Sequence, residues 1–351
     1  MRAIHFRPSP FVSRLFGDAL FILIQLVGLA AFVYPFLRPQ TAATEAAVRA
    51  SDAPPILGVT LIALFALMAA SRVNAKRVAV LGVLCAINAV LRLAETLILP
   101  LPGGFSPMFL LIILAGYAYG VRFGFLFGAF SLLTSALATG GVGPWLPFQM
   151  FGAGWVGLTA GLLSKFRIRN AERGTQPSAV VLRPSLSNLQ PFDSAQGRPP
   201  PLRLHSGQAS TPSTPLRAGL HPFDFTQGRP PTSNLQPPTS KYDLALLLPF
   251  GFVWGFLYGA ILNLYFWPLV DAGAGLSWQA GLGIGDALAR YAAFYAATSL
   301  WWDAAGAIGN AALLLWLGLP ILRALRRFGA RFRFEVVPVF EGGQRIASQN
   351  G

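Results

Sequence analysis

Apolar positions in this chain gather into long runs, and polar positions are confined to the short links between them. Runs of about 17–25 residues recur at roughly 18–37, 54–71, 77–98, 106–120, 122–139, 148–164, 243–267 and 301–322. That is the helix length a bilayer core requires. The pattern predicts an all-α integral membrane protein with about eight transmembrane helices. The first run is longer than the 7–15 apolar residues of a secretory signal, which predicts an uncleaved helix. Residues 268–300 break the pattern, with Asp271, Asp286 and Arg290 set among apolar neighbours. They predict an outer loop carrying a short amphipathic helix.

Composition strengthens the membrane assignment. Of 351 residues, 54% are hydrophobic and 11% charged, against about 25% charged in average soluble domains. The net charge of +14 is distributed between the apolar runs rather than on one face, so it predicts membrane topology and no nucleic-acid partner. Basic clusters stand before the first run (Arg2, Arg7, Arg14) and after the second (Arg72, Lys76, Arg77). Others follow the fourth (Arg122), the sixth (Lys165, Arg167, Arg169) and the eighth (Arg323, Arg326, Arg327). The alternate links are poor or balanced in charge. All clusters then fall on one side, which predicts a multi-pass protein of the cell membrane with both termini cytoplasmic. The single cysteine, Cys85, lies in an apolar run, and His5, His205 and His221 lie outside the runs. No cofactor and no metal site are expected.

Residues 166–242 are of another kind. They hold 13 of the 28 prolines, and PFDSAQGRPP at 191–200 recurs as PFDFTQGRPP at 222–231. Such a segment has no apolar face to bury and reads as a disordered cytoplasmic insert. A repeat this short cannot stack as a solenoid. The predicted organisation is therefore two helices in 1–74, four in 75–165, the insert at 166–242, two more in 243–330 and a cytoplasmic tail at 331–351.

The segment from Thr139 to Lys165 is the most informative. Gly143-Pro144-Trp145-Leu146-Pro147-Phe148-Gln149 forms a stiff Pro/Trp turn suited to the membrane boundary. It leads into an apolar helix carrying Gly152, Gly154, Gly157 and Gly161. Those glycines weaken a helix in water but let helices approach closely in lipid. Small residues also recur at Ala75, Ala79, Gly82, Ala86 and Ala89, spacings that put them on one helix face. That stripe suits either internal packing or docking onto a separate membrane subunit. Gly116, Gly120, Gly124 and Gly128, and Gly251, Gly255 and Gly259, predict internal packing.

Charged side chains at membrane depth cost roughly 2.5–3.5 kcal/mol each on insertion scales and call for a reason. Arg92 and Glu95 lie three apart and can pair, with Asn88 a turn below. Gln149 opens the sixth span, Asn263 lies in the seventh, and Asp303 and Asn310 share a face of the last, under Trp302. Together with Trp145 these residues make a candidate small-molecule pocket at the outer mouth: aromatic walls and a few orienting polar groups. Each aromatic taken alone also fits an interface belt. No P-loop, HExxH, GxSxG or metal-type Cys/His spacing occurs, and the GxGxxG match at 152–157 lies within an apolar span, not after a strand. No catalytic residues are expected, and there is no sign of two homologous halves.

From residue 75 onward, less the insert, the chain resembles the substrate-binding S component of energy-coupling factor vitamin transporters. The residues that carry the resemblance are AKRVAVLGVLCAINAVLRLAE (75–95), LAGYAYGVRFGFLFGAFSLLTSAL (114–137), GPWLPFQMFGAGWVGLTAGLL (143–163) and WDAAGAIGNAALLLWLGLPILRALRRF (302–328). The resemblance implies a six-helix core, here preceded by two extra helices, with the ligand pocket at the outer face. It implies docking of the first core helix, through Ala75, Ala79, Gly82, Ala86 and Ala89, onto a transmembrane coupling subunit driven by two ATPase subunits. It implies a vitamin-like ligand, tipping of the whole subunit in the bilayer, and no catalysis. GPWLPFQM is similar to the GPWTPFQM-like loop of members linked to cobalamin uptake, with Leu146 in place of the common Thr. A membrane-embedded enzyme using Glu95 or Asp303, and a sensor or assembly protein without transport, are the alternative readings.

Overall fold

The computed structural model describes residues 10–37, 45–70, 75–97, 106–174, 239–273 and 275–331. These residues form nine α-helices: α1 (Pro10–Val33), α2 (Glu45–Ala70), α3 (Ala75–Leu97), α4 (Met108–Tyr119), α5 (Val121–Thr139), α6 (Leu146–Gly174), α7 (Lys241–Phe266), α8 (Ile284–Thr298) and α9 (Leu300–Arg331). Short 3-10 turns at Tyr34–Leu37 and Trp267–Leu269 extend α1 and α7. No strand occurs among the described residues.

Every apolar run of the sequence is a helix. Six helices are long and apolar enough to cross a bilayer: α1, α3, α5, α6, α7 and α9. The apolar part of α2 (Pro54–Ala70) and the 12-residue α4 fall short. At 1.5 Å per residue α4 spans about 18 Å of a core about 30 Å thick. Its shortness is tolerated because it is buried in protein on every side, from Met108 to Ala118. The ambiguous stretch 268–300 contains a loop and α8. Most of the repetitive segment lies outside the described residues, as do Met1–Ser9 and the C-terminal tail. Within the described part α6 runs on to Gly174 and α7 starts at Lys241.

Glycine sets the close contacts. A Cβ at Gly116 or Gly124 would strike the backbone of Gly157, and one at Gly128 would strike the carbonyl of Ala153. Backbones of α4, α5 and α6 therefore touch along one seam, where a side chain would push them apart. α4 and α5 are separated by Gly120 alone, whose φ of 94° L side chains rarely adopt. A second seam joins α7 to α9, where Gly255 meets Ala307 and Gly251 meets Leu314. Both glycine series thus serve internal packing, except Gly120, which serves the turn.

The stripe on α3 behaves differently. Ala75, Ala79, Gly82 and Ala86 are exposed, beside Val83, Ile87 and Val90, while the other face of α3 packs on α5 and α4. Nothing lies within 4 Å of a Cβ built at Gly82. Ala89 belongs to the packed face and is buried.

The added helix α1 is fastened along its length. Asp18 pairs with Arg122 of α5, and Gln25 accepts the indole N–H of Trp155 at 2.9 Å. Gly28 makes room for the Phe151 ring, and Phe32 sits among Phe148, Trp155 and Tyr265 with ring centroids 5.2–5.9 Å apart. α2 packs on α1 and reaches α5 through Phe65 and Phe130.

Candidate functional site

Two ends of the bundle carry polar chemistry. At the basic end Asp243, in the first turn of α7, is fully buried and surrounded by donors. Arg167 Nε of α6 lies 3.0 Å from it, Arg326 Nη1 of α9 3.1 Å, and Tyr117 of α4 donates its hydroxyl at 2.7 Å. Ser240 and Asp243 form a capping box, with the Ser240 backbone N–H donating to Asp243 at 2.9 Å. One carboxylate thereby ties four helices together. The spacing Ser240-x-x-Asp243 before an apolar run was the sequence signal for the cap. Its use as a hub was not legible, since the arginines come from 76 residues before and 83 after.

At the opposite end three of the expected residues meet. Arg92 of α3, Trp145 of the loop and Gln149 of α6 line one cavity of about 100 Å³, together with Leu132, Ser135, Ala136, Thr139 and Gly141. Gly140, left-handed at φ 71°, caps α5 and turns the chain toward Trp145, whose indole N–H donates to the Gly141 carbonyl at 3.3 Å. Arg92 also reaches Met108 Sδ at 3.6 Å. Glu95 accepts a hydrogen bond from Ser106 at 2.7 Å and feels the Arg92 charge. The polar and aromatic side chains of this mouth are thus a cation, an amide, two hydroxyls and an indole, beside the apolar Leu132 and Ala136.

The remaining expected residues fall into other places. Asn263 of α7 donates to Ser299 at 2.5 Å, and Asp303 of α9 accepts from Tyr295 of α8 at 2.7 Å. The Asp303 carboxylate occupies the notch that Gly259 leaves open. These two residues lie at the α7–α8–α9 junction and do not line the Arg92 cavity. Trp302 is 60% exposed and lines no part of that cavity. Asn310 is buried between α9 and α7, its Nδ2 3.5 Å from the Gly251 carbonyl. Asn88 is buried and neither of its polar side-chain atoms has a hydrogen-bond partner. An amide left so in an apolar interior costs roughly 2–7 kcal/mol, depending on the reference solvent.

Of the aromatic residues near the mouth, Phe148 belongs to the GPWLPFQM loop, while Phe109, Tyr258 and Tyr265 carried no sequence motif. Phe148 and Tyr265 stack at 3.9 Å with rings nearly parallel, and Phe109 meets Tyr258 edge-on at 4.7 Å. Tyr258 packs on Gly152 and feels the Arg92 charge. Aromatic pairs between distant helices leave no periodicity to read. Beside them the described residues after α7 bond to one another: Trp267 donates its indole N–H to the Leu276 carbonyl at 2.7 Å, and Asp271 accepts from Gly273 N–H and the Ser277 hydroxyl. Those two bonds hold the exposed Asp271 carboxyl below the usual aspartate range. Among the described residues no group of three or more His, Cys, Asp or Glu is placed to hold a metal ion.

Comparison with known proteins agrees with this architecture. The family model described as the ECF transporter, substrate-specific component, matches residues 76–318. No curated protein and no solved structure matched the chain. The match begins at α3 and leaves α1 and α2 outside it. That family consists of binding subunits for transport rather than enzymes. A match over more than half of the chain, on a bundle of apolar helices with a polar cavity at one end, places this protein in the family of substrate-specific components of ECF transporters.

Proposed function

We propose that this protein captures a vitamin-like small molecule at the mouth lined by Arg92, Trp145 and Gln149, facing outward, for ATP-driven uptake. The observation that carries this reading is the mouth itself, a cluster of cationic, amide, hydroxyl and aromatic groups at one end of an apolar bundle. Basic residues gather at the other end, which favours a cytoplasmic placement of both termini. Arg92 suits an anionic or strongly polar ligand group, and Gln149, Ser135 and Thr139 suit hydrogen-bonding edges. Glu95 and Asn88, within about a turn of Arg92 on α3, extend the proposed site, whereas Asn263, Asp303, Asn310 and Trp302 stand apart from its cavity. The cavity of about 100 Å³ is smaller than the roughly 300–1,000 Å³ of ligand pockets. Binding therefore requires the mouth to open.

Transport requires partners. The exposed stripe of Ala75, Ala79, Gly82 and Ala86 is the surface we assign to a transmembrane coupling subunit, itself driven by two ATPase subunits. It is smooth, lies on the outside of the bundle and is left uncovered by α1 and α2. The test is equilibrium binding of B-vitamins, corrinoids (cobalamin first, given the GPWLPFQM loop) and nucleobase-like precursors to the purified full chain in nanodiscs. Saturable one-to-one binding of one compound, weakened by Arg92→Ala, supports the reading. A folded protein that binds none of them moves the function to sensing or assembly.

A further inference from the structure

The mouth cavity has a neighbour on its lower side. Two contacts fix how α3 and α5 lie together there. Ser131 of α5 sits 4.0 Å from the Cys85 sulfur of α3. Further along both helices Arg92 shares the cavity with Ser135 and Thr139. Asn88 lies between those two levels, because positions 85, 88 and 92 follow one another along one helix face. Ser131, Ser135 and Thr139, four residues apart, form the facing row.

Asn88 is 1% exposed, and its Oδ1 and Nδ2 are both without a protein partner. Its amide can fill four hydrogen-bonding positions. In the facing row Ser131 and Ser135 make only long contacts, to the Cys85 sulfur and to the Leu132 carbonyl at 3.4 Å, while Thr139 at the rim donates to the Ser135 carbonyl at 2.8 Å. So much hydrogen-bonding capacity is not stable dry at membrane depth. A buried water needs two to four polar partners, and this row supplies them.

We propose that the mouth cavity continues between α3 and α5 as a water-filled polar crevice reaching Asn88 and Ser131, a site for water and for small neutral hydrogen-bonding groups. The crevice rests on the reading that the mouth faces outward. It lies on the inner side of α3, behind the bare stripe. Its lower end is closed by Cys85 and Leu81, both buried.

Thiol labelling of the full-length protein in intact cells tests this. The Cys85→Ser variant has no other thiol, since the chain has one cysteine. Into it are placed single cysteines as Asn88→Cys, Ser135→Cys, Thr139→Cys at the exposed rim, and Val90→Cys on the exposed apolar face of α3. The probe is methyl methanethiosulfonate, small and neutral, followed by mass, with the impermeant anion sulfonatoethyl methanethiosulfonate used on Thr139→Cys to fix the side. A hydrated crevice gives Asn88→Cys and Ser135→Cys rates within about tenfold of Thr139→Cys, and about a hundredfold above Val90→Cys, because only a solvated thiolate reacts. Rates at both as slow as Val90→Cys, with Thr139→Cys labelled, overturn the crevice. Ser135→Cys is nearly isosteric and decides the matter if Asn88→Cys fails to reach the membrane. Labelling of Thr139→Cys only in inside-out vesicles overturns the outward mouth instead, and the same comparison in those vesicles then judges the crevice.

Discussion

At the scale of single residues, glycine marks where this protein has no room. Gly157 faces the backbones of Gly116 and Gly124, which cannot rotate away as a side chain can. Gly157→Ala should destabilise the protein by at least about 1–3 kcal/mol, the usual range for overpacking, seen as a lower unfolding temperature in detergent. Gly82→Ala, with nothing within 4 Å, should keep that temperature or raise it slightly. An equal drop in both would mean that the seam is not where the structure puts it. Arg92 offers the matching functional contrast. If it contacts the ligand, Arg92→Ala loses a charge-assisted hydrogen bond of about 1.5–3 kcal/mol, or roughly 10- to 150-fold in affinity. Unchanged affinity in both Arg92→Ala and Trp145→Ala would move the site elsewhere.

Helices are held and used by different faces. The Asp243 hub joins α4, α6, α7 and α9 through Tyr117, Arg167 and Arg326. Asp243→Ala leaves two mostly buried guanidinium groups without their carboxylate, a change that costs up to about 3–5 kcal/mol. Tyr117→Phe removes one hydrogen bond and should cost about 1 kcal/mol. Thermal unfolding of the two variants should rank them in that order. On α3 the packed face and the bare stripe separate cleanly. Ala79→Trp and Gly82→Trp should abolish uptake in cells while ligand binding by purified protein is kept. Normal uptake in both would remove the docking surface.

For the whole molecule, the question is which parts the bundle needs. Arg167, near the end of α6, donates to Ser240 at 3.1 Å and pairs with Asp243, so the two sides of the repetitive segment are fastened together inside the bundle. Replacing residues 175–238 by a short Gly/Ser linker should leave the unfolding temperature within a few degrees, since loop-closure entropy changes by only about 0.6 kcal/mol per doubling of length. Loss of membrane-folded protein on this replacement would show that the segment contributes to the fold. α1 is the opposite case, bound by an ion pair, an indole hydrogen bond and the Phe32 cluster, so it belongs to the bundle although the family match starts after it.

Much of this was written in one dimension. Apolar run length determined the helices, because a bilayer demands about 20 residues and satisfied backbones whatever the neighbours. Loop charge determined the expected topology, and the motifs at 75–95 and 143–163 pointed to the family. What the runs left open was partnership. Arg92, Trp145 and Gln149 share a cavity, yet Asp303 and Asn263 belong to another junction and Trp302 faces outward. Asp243 of the hub meets a tyrosine 126 positions away, a separation no periodicity encodes. Helix rotation and close approach decide such meetings, and they are set by the glycine seams where backbones touch, a property of pairs of helices that no single segment contains.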